Sequence, residues 1–136
     1  MQPTIPGLTS IPSELGARET MDRLEALLRA KGTTIFARID HGAGARAAGL
    51  ELRPTELLVF GDPRVGTRLM QAAQTLGVDL PLRALVWEDA EGRVWLSYDE
   101  PAWLAARHGV GEAVATVTQA MASALAAVAE RATRRE

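Results

Sequence analysis

The chain has 136 residues, of which 47% are hydrophobic and 24% are charged, as is typical of one globular domain. Its net charge of −2 provides no basic surface for nucleic acid or an anionic membrane, and no segment approaches the roughly 20 apolar residues that a membrane helix needs. The absence of cysteine excludes disulfides and cysteine-ligated metals, and together these counts predict a soluble cytoplasmic protein without a cofactor, nucleic-acid partner or membrane partner.

The chain begins with a predicted extended segment and a helix. Residues 1–16 contain an edge strand at about 8–12, because the prolines near its ends lack the N–H group that a central strand needs. Residues 17–31 have apolar side chains at spacings of three and four, followed by a glycine, which predicts a helix. Its apolar stripe consists of Met21, Leu24, Leu27 and Leu28.

Two strands joined by a short helix are predicted next. Residues 56–60 are apolar on both faces and are therefore placed inside the sheet, whereas residues 34–40 alternate between two faces. An alanine-rich turn of helix over residues 41–48 joins them. The alternation places Ile35, Ala37 and Ile39 on one face of the earlier strand, and Phe36, Arg38 and Asp40 on the other.

A further helix and a hairpin follow. The helix is predicted from Pro63 to about Thr75, with a glycine as its stop. Residues 83–88 and 94–98 form the hairpin, because their connecting loop carries Gly92 where a three-residue loop needs a left-handed residue. The resulting register pairs Trp87 with Trp95, Val86 with Leu96, and Arg83 with Asp99.

The last predicted element is a helix over residues 110–134, whose apolar side chains recur along one face. The order of elements is then β-α-β-β-α-β-β-α, with all of them in a single domain over residues 1–136. The fold class is α+β: a two-layer sandwich in which the helices cover one face of a mixed, largely antiparallel sheet.

Five separated motifs of this chain resemble those of a bacterial and archaeal family called domain of unknown function 302. The motifs are Ile39-Asp40-His41, Phe60-Gly61-Asp62-Pro63, Gly66-Thr67, Asp79-Leu80-Pro81-Leu82 and Ser97-Tyr98. The resemblance covers about residues 17–107, with Asp62 at a position where the family often has asparagine. It implies a small α/β fold that is often dimeric, and it implies no settled biochemical activity.

The segment after residues 56–60 has the glycine spacing of a phosphate-binding loop, with Gly61 and Gly66 separated by four residues. Such a loop needs a lysine directly after the second glycine, followed by a serine or threonine for magnesium. This chain has Thr67 and Arg68 at those positions. The segment therefore lacks the groups that hold a nucleotide.

The same segment has the features of a helix start. Asp62 is a favoured capping residue, since its side chain accepts from the first free N–H groups, and Pro63 suits the first helical position. We predict that Asp62 bonds to the N–H of Arg64 or Val65. Anion binding at the flank of the loop stays open as an alternative, and its candidate residues are Gly61, Arg64, Thr67 and Arg68.

The candidates for catalysis are Asp40, His41 and Tyr98. A histidine at the end of a strand can act as a general base near neutral pH. We favour a structural role, in which Asp40 caps the short helix, because the sequence supplies no clear second partner. His108 is predicted to lie at a helix end. Two histidines without metal-binding spacing predict no metal site.

The hairpin predicts an association surface. Leu85, Trp87 and Trp95 share one face of the sheet, and a two-layer domain leaves one of its two sheet faces without helices. If the open face carries the tryptophans, with Phe36 near them, the large apolar patch indicates a twofold dimer. The alternative is that the tryptophans face the helices.

Two hypotheses for function follow. The first is a non-catalytic homodimeric module that binds a small ligand, such as an anion, or a protein partner. The second is a small enzyme that acts on an anionic metabolite with His41, Asp40 and an arginine such as Arg64. The enzyme hypothesis requires His41, Arg64 and Tyr98 to surround one pocket, whereas a binding module has no such requirement.

Overall fold

The computed structural model describes residues 4–135, so the first three residues of the predicted extended segment and the last residue of the predicted domain lie outside the described part. That part contains five strands: β1 (Leu8–Ser13), β2 (Thr34–Asp40), β3 (Thr55–Gly61), β4 (Leu82–Glu88) and β5 (Val94–Asp99). It also contains five α-helices: α1 (Ala17–Ala30), α2 (His41–Ala47), α3 (Pro63–Ala72), α4 (Pro101–Arg107) and α5 (Ala115–Thr133). A 3₁₀ turn over Gln74–Val78 lies between α3 and β4.

The five strands form one sheet in the order β1-β5-β4-β3-β2. All four pairings between neighbouring strands are antiparallel. The two-layer α+β fold is therefore confirmed, and the largely antiparallel sheet is antiparallel at each pairing of the described residues. β1 lies at an edge, as its prolines predicted, and the apolar strand β3 lies inside the sheet.

The helices cover the face of the sheet that carries Leu58, Ala84 and Tyr98, which lie opposite one another on β3, β4 and β5. These side chains are buried, and they pack with Met21 and Leu24 of α1 in one hydrophobic core. Burial of such apolar side chains supplies most of the stability that holds the two layers together.

The other face of the sheet, called the open face below, has no helix packed on it within residues 4–135. Neighbouring residues of paired strands share a face, and the pairings place a set of mostly apolar side chains there. The set includes Ile39, Leu57, Leu85, Trp87, Trp95, Ser97 and Ser10. The open question of which face carries the tryptophans is therefore resolved: they lie away from the helices.

The hairpin has the predicted register. Trp87 lies opposite Trp95, and the predicted pair of Arg83 and Asp99 forms an ion pair of 2.9 Å. Gly92 has a φ of 82°, which explains why a glycine is needed in the loop. The Asp89 carboxylate accepts hydrogen bonds from two backbone N–H groups of this loop and so closes it.

The predicted alternation along β2 is wrong at its start, because a bulge interrupts the ladder between Ile35 and Ala37. Ile35 pairs with Phe60 on the helix-covered face, whereas Ala37 and its successor Ile39 point to the open face. Phe36 is the extra residue and is 52% exposed. A bulge changes the face without changing the apolar pattern, so the sequence does not mark it.

α3 ends earlier than predicted. The helix stops at Ala72, and Ala73 is extended with φ −148° and ψ 107° before the 3₁₀ turn begins. The change of direction places Leu76 in the core, where it is fully buried. The turn therefore contributes Leu76 to the core although the helix has already ended.

The predicted helix over residues 110–134 is also shorter, since α5 begins at Ala115. The preceding segment forms the unpredicted helix α4, which starts with Pro101 at its first position, ends at Arg107 and has His108 as its C-cap. Gly109 then adopts a φ of 77° and reverses the chain. His108 thus lies at a helix end, as predicted. None of the helices in the described residues combines the length and apolar character that crossing a membrane requires.

Candidate functional site

A pocket of about 450 Å³ opens between the helices and one end of the sheet. Its walls come from the end of α1, the start of β2, the end of β3, the first turns of α3, the start of β4 and the middle of α5. The apolar wall residues are Leu28, Phe36, Phe60, Val65, Met70, Leu80, Leu82, Met121, Leu125 and Val128. Ligand sites in proteins are commonly concave and apolar, with volumes of roughly 300–1,000 Å³.

The segments that carried the family resemblance converge on this pocket. Phe60-Gly61-Asp62-Pro63, Gly66-Thr67 and Leu80-Pro81-Leu82 all line it, although they are separated along the chain. They meet because β3 and β4 are neighbours in the sheet and α3 starts directly after β3.

Four residues supply polar groups to the pocket wall: Lys31, Thr33, Asp62 and Thr67. Lys31 follows the last turn of α1 and is exposed. The Asp62 carboxylate is already engaged, because it accepts from the backbone N–H of Arg64 at 3.0 Å. Its two oxygens also accept from the Arg64 guanidinium, each at 3.1 Å.

The predicted cap of α3 is confirmed by these contacts, with Asp62 at the N-cap and Pro63 as the first helical residue. The guanidinium of Arg64, followed by its backbone N–H, lowers the pKa of the Asp62 carboxyl below its ordinary value. Asp62 is therefore ionised near neutral pH, and its charge is balanced by Arg64 at the surface of the helix start.

Gly66 lines the pocket in the first turns of α3, where its backbone imposes no need for glycine. Its φ is not positive. A Cβ atom at this position would lie 3.9 Å from Cε of Met70, which is an ordinary van der Waals distance. The glycine therefore leaves room in the pocket rather than relieving strain.

The four candidate residues for anion binding lie in two different places. Gly61 and Thr67 line the pocket, whereas Arg64 and Arg68 are exposed and do not. Arg64 is 87% exposed and held by Asp62. The two arginines thus do not face the space that Gly61 and Thr67 enclose.

The three catalytic candidates are also apart from one another. Asp40 caps α2, with its Oδ1 accepting from the N–H of Ala43 at 2.9 Å, as predicted. His41 is exposed, and Tyr98 is buried under the helices. Burial raises the pKa of the Tyr98 hydroxyl above its ordinary value, with a smaller contribution from Glu100.

A second pocket of about 400 Å³ lies at the other end of the helix-covered face, between α1 and α2. Its walls are more polar and include Asp40, Arg46, Glu56 and Glu88. Neither pocket is lined by His41, Arg64 or Tyr98. No group of three or more histidine or carboxylate side chains is placed to hold a metal ion within residues 4–135.

A chain of hydrogen bonds connects the 3₁₀ turn with the end of α4. Oγ1 of Thr75 lies 2.8 Å from Nδ1 of His108, and Nε2 of the same ring lies 2.6 Å from Oδ2 of Asp79. Arg107 also donates to both Asp79 oxygens. The residue types are those of a hydrolase triad, but none of the four lines either pocket. We therefore assign them a structural role.

The candidate interface residues have two locations. The rings of Trp87 and Trp95 stack on the open face with centroids 6.3 Å apart. Their indole N–H groups donate to Ser97 and Asp89 respectively, each at 2.9 Å, so neither ring needs a polar partner from outside. Leu85 lies on the same face.

The sequence predicted that Phe36 lies near the tryptophans. In the structure it does not. A Cβ atom added to Gly61 would lie 3.9 Å from Cε2 of Phe36. Trp87 pairs instead with Thr55, at the opposite end of β3. Phe36 lies at the Gly61 end of the sheet instead, where the bulge leaves it unpaired at the wall of the pocket.

The arrangement defines a two-layer α+β domain with an apolar, ligand-sized pocket beneath its helices. The chain belongs to the family described as Domain of unknown function DUF302, whose model matches residues 9–128. A crystal structure of an uncharacterized conserved DUF302 protein from Bacillus stearothermophilus superimposes with a TM-score of 0.83 and covers 96% of this chain and 100% of that one. The two sequences are 20% identical, so this likeness bears on the fold alone.

Relatives that share about half of the aligned residues include proteins of Brucella. The chain is 52% identical over 105 residues to Fluoride-specific ion channel FluC 1 of Brucella suis biovar 1 (strain 1330), a match that covers 77% of this chain and 41% of that protein. Fluoride-specific ion channel FluC 2 of Brucella melitensis biotype 1 is also 52% identical over 105 residues, which are 39% of its length. The chain thus spans about two fifths of these relatives.

The sequence predicted parts of the pocket but not the pocket itself. Gly61 and Thr67 were candidates because of their glycine-loop spacing, whereas Lys31, Met70 and Met121 were not. Lys31 is the last residue of the helix predicted over residues 17–31. The one signal that could have singled it out is its count, since it is the only lysine in the chain.

Proposed function

We propose that the domain is a non-catalytic, cytoplasmic homodimer that binds a small, largely apolar molecule in the 450 Å³ pocket. The observation that carries the proposal is the composition of the pocket wall, which combines ten large apolar side chains with four polar residues. Met70 and Met121 lie in this wall, and the flexible thioether of methionine adapts to ligands of different shape.

The homodimer part of the proposal rests on the open face. Trp87 and Trp95 are fixed there by hydrogen bonds within the chain, and Ile39 on the same face is 42% exposed. Both tryptophan rings are half-buried within the chain, and covering their remaining apolar surface together with Ile39 is favourable. Twofold symmetry is the commonest way for identical chains to cover such a patch.

The alternative of an enzyme that uses His41, Asp40 and Arg64 has less support. A general base must reach its substrate within hydrogen-bonding distance. His41 and Arg64 line neither pocket, and Arg64 is engaged by Asp62. The binding module is therefore the better account of these residues.

The pocket proposal is tested with a neutral fluorescent probe, N-phenyl-1-naphthylamine, and two variants of α5. Ala124 lines the pocket, whereas Ala127 is another exposed alanine of the same helix that does not line it. We expect Ala124→Phe to weaken probe binding by about tenfold or more, because the added ring overfills the pocket. Ala127→Phe should bind as the original chain does. Equal binding by the two variants would show that the probe does not use this pocket.

A second candidate function follows from the names of the Brucella relatives, to which the chain is 52% identical. In this alternative, the domain accompanies a fluoride-specific channel through protein contact. Fluoride itself does not suit the apolar pocket, because a strongly hydrated anion loses its water there without sufficient hydrogen-bond donors in return. Deleting the gene and measuring growth over a series of fluoride concentrations tests this role. Only the channel-associated function predicts increased fluoride sensitivity.

A further inference from the structure

The charges around the pocket indicate which apolar molecule it takes. Among the described residues that line the pocket, two are charged, Lys31 and Asp62. The Asp62 carboxylate is neutralised by two hydrogen bonds from the Arg64 guanidinium. Lys31 has no ion pair or side-chain hydrogen bond within residues 4–135, so the pocket wall presents one uncompensated positive charge.

We propose that the ligand is an amphipathic monocarboxylate, with its apolar body in the pocket and its carboxylate at Lys31. This inference rests on the proposed ligand-binding function and specifies the chemistry of that ligand. An ammonium group and a carboxylate form a charge-assisted hydrogen bond, which fixes the orientation of a ligand that the apolar wall alone would hold without direction.

Two further polar groups fit a carboxylate rather than a second apolar segment. Thr33 and Thr67 both line the pocket, and each carries a hydroxyl group that can donate to an anionic oxygen. Asp62, with Arg64 bound to both of its oxygens, does not repel the ligand as a free carboxylate would. The polar wall residues therefore offer donors, whereas the apolar part of the wall includes Leu28, Phe60, Met70 and Leu125.

The position of Lys31 has a second explanation, and the experiment must distinguish it from ligand binding. Lys31 is the C-cap residue of α1, and a positive charge is favourable at the C-terminal end of any helix. That role requires a charge but no ligand. Stability measurements on a Lys31 variant would therefore not distinguish the two explanations, whereas ligand selectivity does.

Selectivity is measured with decanoate and decanol, which share an apolar chain and differ in charge. We expect decanoate to bind about fivefold more tightly than decanol, as befits an ion pair at a partly exposed site. Lys31→Gln should remove this preference, and Lys31→Arg should restore most of it. Arg68→Gln is the matched control, because it removes an exposed positive charge of α3 outside the pocket and should leave the preference unchanged.

The single lysine also gives a direct readout of where the carboxylate lies. Reductive methylation with ¹³C-formaldehyde labels only Lys31 and the terminal amine. Decanoate should then shift the Lys31 dimethylamine resonance, with a smaller effect from decanol. The affinities of decanoate and naphthalene-2-carboxylate are then compared, which shows whether the pocket prefers an aliphatic or an aromatic acid.

The outcomes separate the inference from the function on which it rests. If decanoate and decanol bind equally and Lys31→Gln changes neither, the carboxylate inference is wrong while the apolar pocket still binds its ligand. If neither compound binds, and Ala124→Phe also leaves the affinity for the neutral probe unchanged, both the inference and the proposed function are overturned. If Arg68→Gln abolishes the preference for decanoate, the charge that matters lies outside the pocket and the assignment to Lys31 fails.

Discussion

Oδ2 of Asp79 and Nε2 of His108 lie 2.6 Å apart, across the junction between the 3₁₀ turn and the end of α4. Asp79 is buried, at 7% exposure, and the hydrogen bond from His108 lowers the pKa of its carboxyl, with a further contribution from the Arg107 charge. The carboxylate therefore joins two segments that the sheet does not connect directly.

This pair predicts how stability depends on acidity. The lowered pKa means that the folded chain binds a proton at Asp79 less readily than the unfolded chain, so the carboxylate stabilises the fold above its ordinary pKa of 3.8. That stabilisation should disappear as the pH falls from there through the lowered folded pKa. Asp79→Asn should cost about 1–3 kcal/mol at neutral pH and flatten the acid limb in urea unfolding. Glu112→Gln, an exposed control, should reproduce the original profile. An unchanged acid limb in Asp79→Asn would show that other carboxylates govern it.

The cap of α3 predicts a difference between two substitutions of one residue. Asp62→Ala removes the acceptor of the Arg64 N–H and should lower the melting temperature, because the helix start loses a bonded N–H group. Asp62→Asn keeps an acceptor oxygen and should retain most of the original melting temperature. Thermal unfolding followed by circular dichroism compares the two. Equal melting temperatures for both variants would mean that the charge, and not the cap, is what matters.

Replacing Gly66 should have opposite effects on stability and on ligand binding. Alanine fits its helical backbone, so Gly66→Ala should increase the free energy of unfolding by about 0.4–1 kcal/mol. The added methyl group also enters the pocket wall and should weaken binding of the neutral probe. Chemical denaturation and probe titration on the same preparation measure both effects. A destabilised variant would contradict the ordinary contact distance to Met70.

The open face predicts a dimer that single charges disrupt. Light scattering at micromolar concentration should give twice the chain mass of 14.6 kDa. Trp95→Glu and Ile39→Glu should each give the monomer mass, because a carboxylate on this face cannot be buried without a partner. Leu50→Glu places the same charge on another exposed apolar residue and should leave the dimer intact. If the original chain is a monomer, the open face does not form a dimer interface. If Trp95→Glu does not fold, Ile39→Glu still tests the interface.

The sequence predicted those parts of the structure that depend on local chemistry. The register of the hairpin followed from Gly92 and its loop, and the start of α3 followed from Asp62 and Pro63. The bulge at Phe36 and the start of α5 at Ala115 were missed, since the apolar pattern continues across both positions.

The sequence did not predict the pocket, because six separate parts of the chain meet to form it. Lys31 is separated from Thr67 by two strands and a helix in the sequence, yet both border the same space. Spacing along one element indicates which residues share a face, but it does not indicate which faces of different elements leave a gap between them. The volume of a pocket depends on that gap.

The two edges of the sheet limit how copies of the chain can associate. β1 carries Pro12, which has no N–H to offer an added strand, and β2 is interrupted by its bulge. Both features hinder the extension of the sheet from one molecule to the next by backbone hydrogen bonding. The very apolar strand β3 lies inside the sheet and is thereby kept from acting as a template for fibril growth.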